Sequence, residues 1–376
     1  MAVGLQENEL EKMFEEEREI PDVWLIPKEE LEGIQNTILN DNTYNFTVEG
    51  PAGSGKTVLA TYKFLELIAL HGSEKITLVV YTLALMEFIK NGLENTIEMY
   101  KDEMVENIKI DNLNILSSES KDFEEKICND EIEYILVDES QDMKRDLIVK
   151  INNNIKNLMF FGDDGQTLYK DRISMAEIKN MIKKKINNNT YNIDKHYRVS
   201  KSIMKFAECI IERNDLIDNC YNKEITYKPI MVKCNKLDDE LNFIMNTIKK
   251  YDLRNVGIFV NNEESIRNAT EYFEKNNYGY KYKLKSDIKT LNFNDIDNPT
   301  ILTYHSSKGL QFDTVFVTCC DNKKVYATKK NDELKYRNSL FVACTRAKRR
   351  LYITYHGILN EFMINISSNL YNERIN

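Results

Sequence analysis

No run of apolar residues in this chain approaches the ~20 needed to cross a bilayer. The opening residues are acidic and hold no apolar stretch of the kind a secretory leader needs, so no signal peptide and a cytoplasmic location are expected. None of the seven cysteines (Cys128, Cys209, Cys220, Cys234, Cys319, Cys320, Cys344) forms a C-x-x-C pair. An odd count without metal-type spacing argues for reduced thiols and against structural zinc or a disulfide framework. Positive charge is not in excess: the net charge is −9 and the pI about 5.3. Any surface for nucleic acid must therefore be a local groove. No repeat of fixed period is present, which excludes a solenoid. Runs such as 152–154 and 187–189, all asparagine, read as compositional bias.

What is present is the profile of an ordinary globular chain, with 42% hydrophobic and 30% charged residues. Its 376 residues allow about two domains. The most informative stretch is Gly50-Pro51-Ala52-Gly53-Ser54-Gly55-Lys56-Thr57, which has the spacing of a phosphate-cradling P-loop. Residues 44–49 alternate as a short strand before it, and Val58 to Ala69 repeat apolar residues at helical spacing after it. A polyphosphate at such a helix start meets unpaired backbone N–H groups and the positive end of the helix dipole. Lys56 would reach the β/γ-phosphates, and the Thr57 hydroxyl would bind Mg²⁺.

Residues 6–19 carry seven glutamates around Leu10, Met13 and Phe14. They read as an acidic helix, either a docking arm or a solvated helix lying on the core. A helix is expected over Glu29–Leu39, a strand over Lys75–Tyr81 and a helix over Leu83–Tyr100. The apolar strand from Tyr134 runs straight into Asp138-Glu139-Ser140-Gln141-Asp142. Acids beyond a strand's C-terminal end suit a parallel sheet that binds ligands there. Asp138 can join a Mg²⁺ shell, and Glu139 can take a proton from an attacking water. A strand over Leu158–Phe161 ends in Gly162 to Tyr169, where Gln166 is either a γ-phosphate sensor or part of an Asp/Gly turn. The polar segment 183–190 lacks apolar periodicity, which predicts domains over 1–189 and 190–376. Beyond it strands and helices alternate again, and 346–350 reads as the basic end of a helix. Two mainly parallel α/β sheets flanked by helices follow from that alternation.

In order, these motifs resemble the UvrD/PcrA/Rep branch of superfamily 1 DNA helicases, from Gln35 to Tyr355. The resemblance implies two RecA-like P-loop NTPase domains with an ATP site in the cleft between them. Gln35 looks like the glutamine that reads adenine, and Tyr81 stands where the family has a DNA-contacting aromatic, although a tyrosine there is otherwise core. Gln166 corresponds to the γ-phosphate contact. In His196-Tyr197-Arg198, Tyr197 would stack on adenine and Arg198 would meet the γ-phosphate. The run Thr303 to Phe312 resembles the fifth motif, with Gln311 at a ribose-contacting position. In Val342-Ala343-Cys344-Thr345-Arg346-Ala347, Arg346 corresponds to the arginine finger. Tyr81, Tyr169, His305 and Lys308 are the expected contacts to nucleic acid, Lys308-Gly309 being otherwise a plain turn.

There are departures. Asp171 occupies the place of a base-stacking aromatic, Val58 that of an arginine beside adenine, Gln311 that of a glutamate, and His196 that of an asparagine. Neither accessory domain of the larger relatives has room. The implied activity is Mg-ATP hydrolysis that drives 3′-to-5′ movement on single-stranded DNA. The alternative from a different class is an ATP-gated regulatory subunit for a partner such as a nuclease in a phage-defence or repair complex. ATP and Mg²⁺ are the expected cofactors, with no membrane partner.

Overall fold

The computed structural model describes residues 25, 28, 31, 33–51, 53–99, 112–120, 123–127, 132–163, 172–182, 189–194, 199–214, 216–217, 227–284, 291–321 and 330–375. The chain divides into two compact units, Val23–Tyr197 and one containing Arg198–Asn376.

The first unit is built on a six-stranded sheet in the order β3-β2-β4-β5-β1-β6, every pair parallel. Its strands are β1 (Phe46–Glu49), β2 (Ile76–Val80), β3 (Ile115–Ser117), β4 (Tyr134–Val137), β5 (Asn157–Gly162) and β6 (Asn189–Asn192). Strands β2 and β4 are buried at every position, as parallel strands covered on both faces must be. Helices α1 (Ile34–Leu39), α2 (Lys56–His71), α3 (Leu83–Met99), α4 (Phe123–Lys126), α5 (Arg145–Asn154) and α6 (Met175–Ile182) connect them. One core gathers Val79, Ile135, Val137 and Phe160 with Ile148, Ile151 and Ile178 of α5 and α6. Helix α1 is shorter than expected, because it starts after Gly33 at φ 51°. Strand β1 begins at Phe46, because Tyr44 sits at φ 56°, outside the β region.

The expected boundary at 189/190 needs correction. Strand β6 pairs with β1 in register Phe46↔Asn189 to Glu49↔Asn192, so it belongs to the first sheet, and the units divide at Tyr197/Arg198. This edge strand is mostly exposed. It therefore shows none of the apolar alternation that marks a strand in sequence.

The second unit holds a seven-stranded sheet in the order β13-β7-β12-β11-β8-β10-β9, again parallel throughout. Its strands are β7 (Ile230–Cys234), β8 (Val256–Val260), β9 (Lys281–Tyr282), β10 (Thr300–Thr303), β11 (Phe312–Val317), β12 (Ala347–His356) and β13 (Asn372–Ile375). Its helices are α7 (Lys201–Ile211), α8 (Leu237–Lys250), α9 (Glu263–Lys275), α10 (Lys330–Cys344) and α11 (Glu361–Ile364). Helix α8 opens on Asp238, Asp239 and Glu240 and closes on Lys249 and Lys250, matching the sign of its dipole at both ends. Asn262 caps α9 by accepting from the Ser265 N–H at 2.9 Å. The core includes Val232, Leu241, Ile244, Ile258, Phe273 and Phe316, with the Phe316 and Tyr352 rings stacked at 4.6 Å. Residues 347–350 form the start of β12 and not a helix end: Arg350 is 8% exposed and pairs in register with Thr314. Two parallel α/β sheets flanked by helices are thus what the chain forms.

Candidate phosphate-binding site

Strand β1 lies between β5 and β6, and the loop Gly50–Gly55 leaves its C-terminal end. Gly53 at φ 75° and Gly55 at φ 90° take left-handed conformations that a side chain resists, and Gly55 is the residue before α2. Gly50 donates its N–H to the Gly162 carbonyl at 3.2 Å, which ties the loop to the end of β5. A Cβ at Gly50 would come within 2.7 Å of Ser54 Oγ and 3.0 Å of the Ile193 carbonyl. Ser54 Oγ is itself buried without a hydrogen-bond partner. A tight cradle with an unsatisfied hydroxyl beside the free amides of a helix start fits a phosphate chain.

Lys56 is 6% exposed, and its Nζ donates to the Gly50 and Pro51 carbonyls at 2.6 and 3.0 Å. Gln35 is also buried, and its Nε2 donates to the Ser54 carbonyl at 3.3 Å. The next residue of α2, Thr57, donates its hydroxyl to Asp138 Oδ2 at 2.7 Å, joining the loop to the end of β4 across the sheet. Asp138 also accepts the Glu139 N–H at 3.0 Å. A hydroxyl and a carboxylate together are hard oxygen donors of the kind Mg²⁺ takes. The Asp138 carboxyl is pushed up to about 6, first by burial and then by the neighbouring Glu139 charge, against the opposing pull of Thr57 and Lys56.

Glu139 stands at φ 51°, where the chain turns out of β4 into the short helical turn 140–142. Its Oε2 accepts from Gln141 Nε2 at 2.6 Å. Gln141 Oε1 in turn accepts the Asp163 N–H at 3.0 Å, at the end of β5. Ser140 Oγ donates to the Phe161 carbonyl at 2.9 Å. Two strand ends, β4 and β5, are therefore stitched by the side chains that follow Glu139.

Three of the expected site residues are buried in this structure. Tyr81 is 6% exposed and packs in the core with Val79, Phe123 and Met143. Lys308 is fully buried. The Val58 side chain is likewise buried, in the α2 core face, leaving only its backbone for a nucleotide. In the second unit His305 is half-buried and Gln311 is 9% exposed. Arg346 is 5% exposed, and its guanidinium folds back onto the end of its own helix. Nε donates to the Val342 carbonyl at 2.9 Å and Nη2 to Thr345 Oγ1 at 3.1 Å. Ala52, Gln166, Tyr169, Asp171, His196, Tyr197 and Arg198 lie outside the described residues, as does the acidic N-terminal stretch.

Sequence reasoning missed two arrangements. Gln141 was visible only as part of a motif, because its partners depend on strand order. Glu240, Asp321 and His356 meet as a buried cluster: His356 Nδ1 contacts Glu240 Oε1, and lies 3.3 Å from Asp321 Oδ1. They are spread along the second unit without any spacing signal. Among the described residues no helix is long and apolar enough to cross a membrane.

Comparison with known proteins points the same way for both units. Residues 33–172 match the family profile of an AAA domain, and residues 282–357 that of the UvrD-like helicase C-terminal domain. DNA helicase II of Rickettsia typhi is 28% identical over 49% of this chain and 31% of its own length. A protein described as an ATP-dependent DNA helicase in Acanthamoeba polyphaga mimivirus is 24% identical over 85% of this chain and 53% of its own. RecBCD enzyme subunit RecB of Chlamydia trachomatis is 42% identical over 17% of this chain and 6% of its own. The chain thus spans from a small fraction to about half of the length of these relatives.

Proposed function

We propose that this chain, which its profile matches and its relatives connect with the UvrD-like helicases, is a Mg-ATP hydrolase that drives movement along single-stranded DNA. The observation that carries the reading is the Thr57–Asp138 hydrogen bond, which brings the phosphate loop and the acid pair to one point at the strand ends. In this reading the first-turn amides of α2 and Lys56 hold the phosphates, with Lys56 exchanging its loop carbonyls for phosphate oxygens. Thr57 and Asp138 hold Mg²⁺, which when bound neutralises charge on the transferring group. Glu139 orients the attacking water and accepts its proton. Arg198 and Arg346 supply positive charge to the γ-phosphoryl oxygens, Gln166 senses them, and Gln35, Tyr197 and Gln311 contact the nucleoside. His305 and Tyr169 remain the proposed contacts to the strand.

ATP turnover measured with and without single-stranded DNA tests this. Turnover should rise with the strand, and Glu139→Gln should retain Mg-ATP binding while slowing hydrolysis by ~10²–10⁴-fold, the usual weight of a general base. Hydrolysis indifferent to single-stranded DNA would remove the motor. Turnover of Glu139→Gln within twofold of the unaltered protein would remove Glu139 from its role.

A further inference from the structure

Gln141 lies two residues beyond Glu139, yet it is wholly buried and spends both ends of its amide on neighbours. Its Nε2 donates to Glu139 Oε2 at 2.6 Å and more weakly to Asp142 Oδ2 at 3.4 Å, while its Oε1 accepts the Asp163 N–H at 3.0 Å. The orientation of the amide is fixed by chemistry. Reversing it would set an oxygen against a carboxylate and an NH₂ against an N–H, leaving four groups mismatched in a buried place. Glutamine is needed because it alone offers a donor and an acceptor at this reach without adding charge.

The chain accommodates this amide at some cost. Glu139 takes a left-handed backbone conformation that non-glycine residues rarely adopt. Across from it, a Cβ at Gly162 would fall 2.7 Å from Gln141 Oε1, 2.8 Å from Ser140 Oγ and 2.4 Å from Met175 Sδ. The end of β5 is bare so that the Gln141 amide can lie over it. Asp163, the residue held by Oε1, directly precedes the segment that carries Gln166.

We propose that Gln141 is a positioning residue for hydrolysis: it holds the Glu139 carboxylate in one place and ties it to Asp163 at the end of β5. This rests on Glu139 being the base. A misplacement of the order of 1 Å at a reacting group is enough to cost ~10²-fold.

The test uses the full chain, with ATP turnover and nucleotide affinity measured from pH 5.5 to 9. Gln141→Met keeps the volume and removes all three of these hydrogen bonds. It should lower kcat by ~10–100-fold with little change in KM or in Mg-ATP affinity. Gln141→Glu keeps the acceptor but faces one carboxylate with another. Its deficit against the unaltered protein should be largest at neutral pH and shrink on acidification, when the introduced carboxyl takes up a proton and can donate again. If Gln141→Met proves unstable by thermal melting, the pH dependence of Gln141→Glu decides within one folded protein. A Gln141→Met kcat within twofold of the unaltered protein, or a Gln141→Glu deficit that does not depend on pH, would overturn the proposal. An active Glu139→Gln would instead bring down the assignment of the base itself, and the two failures are distinguishable.

Discussion

In the first unit the functional side chains reach far along the sequence, and in the second the arginine at the end of α10 bonds close to home. Thr57 finds Asp138 81 residues away, and Gln141 finds Asp163 22 residues away, because the sheet brings the ends of β1, β4 and β5 side by side. The hydrogen bonds from Arg346 to Val342 and Thr345 span no more than four residues, at the end of the helix that precedes it. The side chains of the candidate site in the first unit therefore hold one another through long-range hydrogen bonds. The second keeps its cation bonded to local chain, where a buried guanidinium costs least. Long-range bonding in one unit and local bonding in the other are different outcomes of the same parallel α/β plan. They make different demands on mutation.

The sharpest way to break this contrast is Arg346→Ala. As an arginine finger the residue is worth ~10³–10⁵ in rate, or roughly 4–7 kcal/mol at about 1.36 kcal/mol per decade. Its hydrogen bonds at the end of α10 add a stability effect of about 1–3 kcal/mol. Turnover should nearly vanish and the melting temperature should fall modestly. More than about a tenth of the unaltered rate would reduce Arg346 to a helix-end residue. Lys348→Ala, two residues on in β12, is the control and should leave basal hydrolysis largely intact.

Asp138→Asn probes the long-range side. Burial and the neighbouring Glu139 charge push the Asp138 carboxyl up to about 6, against 3.8 for an ordinary carboxyl. Folding thus binds protons between those values, and the cost of a buried charge grows as pH rises through 6 and is absent below about 4. At about 1.36 kcal/mol per pKa unit, the nucleotide-free variant should be more stable by up to roughly 3 kcal/mol at pH 7.5. The gap should close toward pH 4. With its one carbonyl oxygen on the Glu139 N–H, asparagine can donate its NH₂ to the Thr57 hydroxyl, so the loop contact survives in reversed sense while the site loses its charge for Mg²⁺. A variant less stable than the unaltered protein at pH 7.5 would show that Asp138 is not held under strain.

Gly162→Ala tests the packing beneath Gln141. The added Cβ meets Met175 Sδ and Gln141 Oε1 below contact distance, so a cost of about 1–3 kcal/mol is expected, the usual range for overpacking. Thermal melting of the nucleotide-free protein reads it. No change would mean that the end of β5 yields freely and that the stitch between β4 and β5 is slack.

The sequence alone determined the local chemistry. The spacing of Gly50 to Thr57 specifies a phosphate loop, and the apolar run from Tyr134 into Asp138 and Glu139 specifies a buried strand with acids at its end. Their alternation with helical periods specifies parallel α/β sheets. These signals are legible because glycine conformation, strand burial and helix period act over a few residues. Tertiary structure alone decided which side chains are reachable and which are spoken for. Tyr81 and Lys308 look available in sequence and are buried. Gln141 looks like one polar residue among several and bridges two strands. Residues 189–192 look like a linker and form an edge strand, and the basic run after Arg346 looks like a helix end and opens β12. The physical reason is common to all of them. Burial and long-range hydrogen bonding are set by which strand lies beside which, and strand order leaves no trace in the spacing of residues along a single strand.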